Sequence, residues 1–386
     1  MDPSQFSPRS PGALVAVTDA MGLAGQAFVP ARLPPADIDL GRADLRLALS
    51  EADQQIARLD ALAGQLEKPE TLFHSYLRRE AQLSSAIEGT HTTLAGLALA
   101  EASQREETSD EREVLNYVAA FTYGRARIAE VPVGRTLFNE VHSILMRHAD
   151  EHLLPGQFRD CLVVLGRDLN TARFVPPPHY EVPALMDDLQ RYLLEEREAA
   201  LVKLAIAHYQ FETIHPYRDG NGRLGRMMIS LWLQQQHILN APVLYISAYF
   251  ERHRTAYYDA LFNVSRAGAW EDWIIFFLRA VAQQSRDAIW RMRRLISLRQ
   301  EYYRRISGPR VSHGLMQLID NLFNIPALSV PAAGRVLKVS YNAARESVRK
   351  LEQAGILDRT DPFAGKSYWV ASEIIRTLEE PFADVE

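Results

Sequence analysis

The sequence contains almost no cysteine. Cys161 is the only one among 386 residues, so the chain forms no internal disulfide and no multi-cysteine metal site. This scarcity fits a reducing compartment, and we expect the protein in the cytoplasm. Stretches of about 20 apolar residues, the length of a membrane span, are also missing. The first residues, MDPSQFSPRSPG, carry no basic cluster before an apolar run, which argues against a signal peptide.

A basic excess is absent as well. The chain has 43 Lys and Arg residues against 48 Asp and Glu residues, a formal net charge of −5. The chain as a whole therefore lacks the charge balance that is typical of a nucleic-acid-binding protein. Hydrophobic residues make up 47% of the sequence, which excludes disorder as the main state because such a chain can bury a core.

The sequence does show helical periodicity along most of its length, and we predict a mainly α fold. One segment, residues 161–178, departs from this pattern. Two apolar runs flank a polar turn there and three prolines follow, which predicts a β-hairpin. Helices are predicted at 43–66, 71–85, 113–129, 134–146, 181–195, 199–212, 221–237, 252–267 and 270 to about 300.

The local composition and the predicted order of elements change along the chain. Acidic residues crowd 101–113, which we interpret as a solvated connection. After residue 311 we predict helices at 313–323, 329–337 and 340–354 and then a strand pair, the order of a winged helix-turn-helix domain. The predicted regions are an extended N-terminal arm (1–36), an N-terminal helical region (37–112), a core (113–285), a basic linker helix (286–310) and a C-terminal winged-helix domain (311–386).

Residues 215–226, which read HPYRDGNGRLGR, carry the clearest chemical signal. Gly220 and Gly222 let backbone N–H groups approach a ligand, and an apolar helix follows. A glycine-rich turn before a helix N-terminus binds anions, because its free N–H groups and the helix dipole both favour negative charge. Arg223 and Arg226 are three residues apart and share a helix face, which suits a polyphosphate.

Two further side chains complete this segment. Asp219 supplies a carboxylate of the kind that joins Mg²⁺ to substrate phosphates. His215 can accept a proton near neutral pH. From these residues alone, the segment predicts nucleotide phosphoryl or nucleotidyl transfer.

The segment resembles the Fic motif, H-P-F-x-D/E-G-N-G-R-x-x-R. Tyr217 stands where the family prefers Phe, and we expect its ring to pack in the same way while its hydroxyl finds a partner. The resemblance extends over nearly the whole chain and implies a Fic-type helical core in which residues 161–178 form a flap. An N-terminal helical region, a Fic core and a winged-helix tail are a layout common in bacterial members. Eight fixed positions match: His215, Pro216, Asp219, Gly220, Asn221, Gly222, Arg223 and Arg226.

The resemblance also implies a reaction, the transfer of AMP from ATP to a Ser, Thr or Tyr hydroxyl of a protein. By position, His215 is the general base and Asp219 holds Mg²⁺ on the phosphates. Arg223 contacts the phosphates and Arg226 holds the γ-phosphate. The residues implied in ATP binding are Gly166, Asp219, Gly220, Asn221, Gly222, Arg223, Gly225, Arg226, Tyr257 and Tyr258.

A second segment, SSAIEGT at 84–90, is similar to the family's inhibitory pattern S/T-x-x-x-E-G/N through Ser84, Glu88 and Gly89. Four positions separate Ser84 from Glu88, which places them on one helical face, and Gly89 suits a helix C-terminus. The resemblance implies that Glu88 pairs with Arg226 and blocks the γ-phosphate position. The free enzyme is therefore expected to be auto-inhibited.

The flap and two tyrosines have competing interpretations. The resemblance implies that the flap adds the backbone of a target protein as an extra strand, with Gly166 near the nucleotide. It also implies that Tyr257 and Tyr258 lie beside the adenine, where stacking on a purine is favourable. A purely structural hairpin and two core tyrosines are the alternatives.

Our first prediction is an auto-inhibited protein adenylyltransferase that modifies a target protein and itself. The alternatives are de-AMPylation or UMP transfer, or a DNA-binding regulator with a weakly active Fic core. Residues 311–371 hold seven basic against five acidic residues, which leaves DNA binding and protein interaction both open for the C-terminal domain. A homodimer also stays open, since no sequence feature determines the oligomeric state.

Overall fold

The computed structural model describes residues 1–65, 69–103, 107–195, 198–307, 313–363 and 366–382. The chain divides into two compact units that interleave along the sequence. The first unit comprises Met1–Ala57, Ala119–Leu239 and Ile246–Gln284. The second unit comprises Arg58–Val118, Asn240–Tyr245 and Ser285–Glu386. The five sequence regions given above stay a prediction.

Helices dominate both units, and the prediction of a mainly α fold is confirmed. The elements in chain order are β1 (Gly12–Thr18), β2 (Ala24–Pro30), α1 (Ala43–Ala63), α2 (Pro69–Ile87), α3 (Leu94–Ser103), α4 (Ser109–Arg127), α5 (Arg135–Leu145), α6 (Val182–Leu194), α7 (Ala200–Ile214), α8 (Asn221–Gln235), α9 (Ser247–Arg252), α10 (Arg254–Ala267), α11 (Trp270–Arg305), α12 (His313–Asn324), β3 (Ala327–Leu328), α13 (Val330–Leu337), α14 (Tyr341–Gln353), β4 (Asp358–Phe363), β5 (Lys366–Val370) and α15 (Ser372–Glu379). No helix of the described residues is long and apolar enough to cross a membrane.

The helices predicted between residues 43 and 300 all form, whereas α3, α9 and α15 were not predicted. Helix α3 is apolar on all sides, so it lacks the alternation with polar residues that marks an amphipathic helix. The solvated connection at 101–113 is wrong in part, because α3 runs to Ser103 and α4 begins at Ser109. Residues 104–106 of that run lie outside the described residues.

The N-terminal arm is not simply extended. Strands β1 and β2 pair antiparallel from Gly12 opposite Pro30 to Thr18 opposite Ala24. The Asp19 carboxylate closes the turn by accepting the N–H of Leu23 at 2.8 Å. Ala27 and Phe28 of β2 are both buried in one cluster with flap residues, and this packing stabilises regular structure in an arm whose sequence shows no clear strand pattern.

The flap is less regular than the predicted hairpin. One β-bridge, between Leu165 and Phe174, joins its two runs. The Asp168 carboxylate accepts the N–H groups of Asn170 and Thr171 at 2.9 Å each and shapes the tip. Strand β2 supports the second run of the flap. These features leave the flap as a bridged loop rather than two full strands.

The first unit packs strand β2 against the flap. The N–H of Phe28 donates to the carbonyl of Val175 at 2.9 Å. The Phe28 ring is completely buried and lies 5.7 Å from the ring of Phe174. Leu169 and Ala172 from the flap join the same buried cluster. The N-terminal hairpin therefore packs against the flap and supports it.

The second unit contains the C-terminal helices and a small sheet with strand order β3-β5-β4. Ser329 and Ser340 cap α13 and α14 by accepting the N–H groups of Ala332 and Ala343. The predicted strand pair is confirmed, with Arg359 opposite Trp369. Helix, strand, two helices and a hairpin follow the order expected of a winged helix, and membership of that class stays a prediction.

The basic linker helix at 286–310 is the second half of α11, which ends at Arg305, and residues 308–310 lie outside the described residues. Several of its arginines pair with carboxylates of the same unit. Arg291 is buried beside Asp287 and donates to the carbonyl of Thr377 at 2.6 Å. Arg305 pairs with Glu373 in the same way. Arg291 and Arg305 therefore hold the second unit together, whereas Arg293, Arg294 and Arg304 of the same helix are exposed, and DNA binding stays a prediction.

Candidate active site

His215 lies at the point where α7 ends. Its N–H donates to the carbonyl of Phe211 at 3.0 Å, and its backbone is left-handed with φ of 50°. A non-glycine residue adopts this conformation only where surrounding contacts hold it, since it costs about 1–2 kcal/mol. The contacts that hold it come from the residues described next, and they keep the imidazole half-buried at the start of the loop.

Arg159, which the sequence analysis did not identify, holds both this loop and the flap. Its Nε donates to the carbonyl of His215 at 2.8 Å, and its Nη1 donates to the carbonyl of Cys161 at 2.9 Å. Its Nη2 donates to the carbonyls of Ile214 and Pro177. Burial of the guanidinium lowers the pKa of Arg159 to about 10. One side chain thus ties the start of the loop at 215–226 to both ends of the flap.

The loop between His215 and α8 is closed by the side chain of Asn221. Its Oδ1 accepts the N–H of Tyr217 at 2.8 Å, and its Nδ2 donates to the carbonyl of Tyr217 at 2.9 Å. The hydroxyl of Tyr217 donates to Oδ1 of Asn139 at 2.7 Å, so the expected partner is present. Asn221 therefore shapes the loop through its side chain, in addition to any contact that its backbone makes with a ligand.

His142 supports the loop from below. Its Nδ1 accepts the N–H of Gly156 at 2.8 Å, so its Nε2 carries the proton and donates to the carbonyl of Asp219 at 3.0 Å. The imidazole stacks on the Tyr217 ring at 3.8 Å between centroids. Burial lowers the pKa of His142 to about 4, so this support is neutral at physiological pH.

Helix α8 begins with an N-terminus open to an anion. Gly220 adopts φ of 77°, and a Cβ there would lie 2.9 Å from the sulfur of Met146, so glycine is required on two counts. Gly220, the N-cap residue, has no side chain to cap the N–H groups that follow it, and its own N–H donates to Oδ1 of Asp219 at 2.6 Å. Uncapped N–H groups and the positive end of the helix dipole together attract negative charge.

Asp219 and Arg223 lie at this helix end. The Asp219 side chain is 54% exposed and its Oδ2 lies 3.4 Å from Nη2 of Arg223. The described residues bring together no group of three His, Cys, Asp or Glu side chains able to hold a metal ion. A single exposed carboxylate fits Mg²⁺, which is normally held by one or two carboxylates and by the phosphates of its ligand.

Arg223, Arg226 and Gly225 occupy the first turns of α8. The two arginines are 3% and 1% exposed, so both guanidinium groups lie inside the protein. A Cβ at Gly225 would meet Oε1 of Glu212 at 2.3 Å, which shows that α8 packs closely on α7 there. The structure therefore gives Gly225 a packing role, and its predicted contact with ATP stays a prediction.

The remaining predicted residues of the first unit lie in two places. Gly166 is exposed in the flap with φ of 153°, and a Cβ there would lie 2.7 Å from Cα of Ala172. Tyr257 is buried, stacks on the Phe250 ring at 4.2 Å and hydrogen-bonds His208 at 2.8 Å. This placement corresponds to the core alternative and offers no open ring face to adenine. Tyr258 is half-buried, and its contact with adenine stays a prediction.

The segment at 84–90, which is predicted to be inhibitory, belongs to the second unit. Ser84 lies in α2 and is completely buried, whereas Glu88 is exposed and follows the last helical residue, Ile87. The expectation that Ser84 and Glu88 share a helical face is thus modified, because Glu88 occupies the C-cap.

A Schellman motif ends α2 immediately after Glu88. The N–H of Thr90 donates to the carbonyl of Ser85, and the N–H of Gly89 donates to the carbonyl of Ala86, each at 3.1 Å. Gly89 has φ of 101°, a conformation that L side chains rarely adopt. The predicted role of Gly89 at the helix C-terminus is therefore confirmed, and the motif fixes the backbone that carries Glu88.

The fold and the loop together define a class: a helical protein in which a histidine, two buried arginines and a helix N-terminus lie together at a candidate anion-binding site. Two family models match the chain, the N-terminal region of the Fic/DOC family at residues 46–126 and the Fic/DOC family at residues 132–233. The chain belongs to the Fic/DOC family.

Two curated relatives carry named activities. A probable protein adenylyltransferase of Aquifex aeolicus is 36% identical over 107 residues, covering 28% of this chain and 29% of that protein. The protein adenylyltransferase Fic of Culex quinquefasciatus is 28% identical over 220 residues, covering 55% of this chain and 40% of that protein. This chain thus matches less than half the length of either relative.

Two solved structures share the fold. A Fic family protein from Desulfovibrio desulfuricans superposes with a TM-score of 0.57 at 23% identity, over 88% of this chain and 98% of that one. Fic-1 of C. elegans superposes with a TM-score of 0.53 at 19% identity, over 66% of this chain and 74% of that one. At these identities the likeness concerns the fold.

Proposed function

We propose that the chain is a protein adenylyltransferase that transfers AMP from ATP to a hydroxyl of a target protein and of itself. The observation that carries the proposal is the loop at residues 215–226. It joins a half-buried His215 to a helix N-terminus that has glycine as its N-cap residue and two buried arginines in its first turns. The activities for which the two curated relatives are named point to the same reaction.

The reaction uses residues of this loop. The hydroxyl oxygen of the target attacks the α-phosphorus of ATP, its proton passes to the imidazole of His215, and the bond to the β-phosphate breaks so that pyrophosphate leaves. The N–H groups at the start of α8, with Arg223 and Arg226, receive the phosphates. Asp219 is the residue that would hold Mg²⁺, which when bound neutralises phosphate charge.

Glu88 is proposed to inhibit this reaction by pairing with Arg226 and excluding the γ-phosphate. The support is the sequence pattern around Glu88 and the Schellman motif that holds its backbone. A charge-assisted pair contributes about 1.5–3 kcal/mol. Its loss should therefore strengthen the binding of ATP in the position for transfer about ten- to hundredfold.

The target protein is proposed to dock on the flap. In the described part of the chain, the backbone groups of Leu162, Val163 and Val164 have no hydrogen-bond partner. The opposite run of the flap already accepts the N–H of Phe28. An extended peptide could therefore add to the first run as a strand, as in other cases of β-augmentation.

Intact-mass spectrometry after incubation with ATP and Mg²⁺ tests the proposal. Glu88→Gly should gain the mass of one or more adenylyl groups, and Glu88→Gly combined with His215→Ala should not. Glu195→Gly is the matched control, since Glu195 also caps a helix C-terminus, that of α6. The control should stay as weakly modified as the wild type.

Two other outcomes would replace the proposal. An adduct with UTP but not with ATP would assign UMP transfer. Loss of AMP from a modified protein in the wild type, but not in Glu88→Gly, would assign de-AMPylation. Light scattering on the same samples would report whether a homodimer forms.

A further inference from the structure

The second unit contains a cleft unrelated to the loop at 215–226. Its volume is about 640 Å³, which lies within the range of small-molecule sites, about 300–1,000 Å³. Helices α13 and α14, strands β4 and β5 and the last turn of α3 surround it. The cleft thus has a ligand-sized volume in the part of the chain that the first proposal does not use.

Positive charge dominates the lining of the cleft. Arg335 from α13, Arg345 from α14 and Arg359 from β4 all line it, and no acidic residue is among the described residues that do. Among the described residues, no carboxylate pairs with the side chain of Arg335 or Arg345. By contrast, Arg349 on the same helix α14 is paired with Glu346 at 2.9 Å.

The third arginine is held in position at the mouth. Nη2 of Arg359 donates to the hydroxyl of Ser367 at 2.8 Å, and Asp361 lies 3.5 Å from it. Three guanidinium groups that line one cleft repel one another, and an anion bound between them would offset this repulsion. Phosphate is the anion that arginine recognises best, because the planar fork of donors matches two of its oxygens.

Aromatic side chains accompany the arginines. Tyr341, the first residue of α14, lines the cleft and is 59% exposed. Trp369 also lines it, and its indole N–H is shielded from water with no acceptor among the described residues. An aromatic base can both stack on such rings and accept a hydrogen bond from the indole N–H. A phosphate group can accept the hydrogen bond but has no ring to stack.

We propose that this cleft binds a nucleotide, with its phosphate on Arg335, Arg345 and Arg359 and its base against Tyr341 or Trp369. The nucleotide is either free or part of a nucleic acid strand, since both present the same chemistry. The site is independent of His215, so it stands whether or not the chain transfers AMP.

Calorimetric titration of the full chain tests this site. His215→Ala serves as the background, so that no nucleotide is turned over. AMP and ATP are the free probes, and a fluorescein-labelled DNA of about one helical turn, single-stranded and duplex, is the nucleic acid probe in a parallel anisotropy titration. The test variant is Arg335→Ala with Arg345→Ala, and Arg349→Ala is the matched control.

One of the probes should bind about ten- to hundredfold more weakly to the double variant, while the control binds as the background does. Loss of AMP or ATP binding assigns a free nucleotide. Loss of DNA binding alone assigns a nucleic acid strand. Equal binding of every probe to the double variant and the background overturns the proposal.

A folding control keeps the result decisive. Arg335→Lys with Arg345→Lys retains the charge but not the fork of donors, and should bind with intermediate affinity. Thermal unfolding of all variants should coincide, because both arginines are exposed and unpaired within the described residues. Transfer of AMP in the Glu88→Gly background should be unchanged by the double variant, which separates this site from the first proposal.

Discussion

Lowering the pH should destabilise the first unit because two buried histidines stay neutral in the folded state. His142 and His208 are both 0% exposed. Burial lowers the pKa of His142 to about 4, and burial together with the charge of Arg226 lowers that of His208 to about 3. A proton on Nδ1 of His142 would also face the N–H of Gly156, which that atom now accepts.

The sign and size follow from proton linkage. Between pH 6.5, the ordinary pKa of histidine, and the lowered values, the unfolded chain binds protons that the folded chain does not. Stability is therefore complete above pH 6.5 and falls as the pH decreases below it. Each histidine loses about 1.4 kcal/mol per pH unit, so at pH 5 the two together remove about 4 kcal/mol.

Urea unfolding between pH 8 and 5 measures this loss. His142→Gln removes one of the two groups, so the free energy of unfolding should depend on pH about half as steeply over the same interval. The quantity compared is the slope of the free energy of unfolding against pH, so a lower stability of the variant at pH 8 does not affect the comparison. Equal slopes in the wild type and in His142→Gln would refute the reasoning.

Three other substitutions test local contacts, two of them in the first unit and one in the second. Arg159→Lys keeps the charge but cannot reach all four carbonyls, so the first unit should lose about 3 kcal/mol in urea unfolding, and a loss below 1 kcal/mol would argue against the clamp. Gly89→Ala should lower the stability of the second unit by about 1–2 kcal/mol in thermal unfolding, and an unchanged midpoint would contradict the strained φ. Phe28→Ala should cost about 3–5 kcal/mol and expose 161–178 to limited proteolysis, whereas an unaltered cleavage pattern would show that β2 does not support the flap.

Much of the site could be predicted because its signal is local. His215 and Arg226 lie within twelve consecutive residues, and a glycine-rich turn before an apolar helix indicates an anion-binding helix N-terminus. The C-terminal position of Gly89 could be predicted for the same reason, since a Schellman motif involves only neighbouring residues.

Arg159 could not be predicted, because its meaning depends on partners far along the chain. The carbonyl of His215 is 56 residues away. Every residue has a backbone carbonyl, so the sequence does not indicate which carbonyls a buried arginine will bind. Tyr257 illustrates the opposite error. A tyrosine pair on a helix is compatible with stacking on a base, and only packing against Phe250 and His208 places this ring in the core.

The same division applies to the fold. Helical periodicity, the family motif and the caps at Ser329 and Ser340 follow from the order of residues, because each depends on contacts within a few positions. Tertiary structure decided that β2 packs against the flap and that Arg291 and Arg305 of α11 bind the carbonyl of Thr377 and the carboxylate of Glu373. These outcomes depend on which distant surfaces meet, and burying an apolar strand face or a charge is favourable only when its partner is already in place.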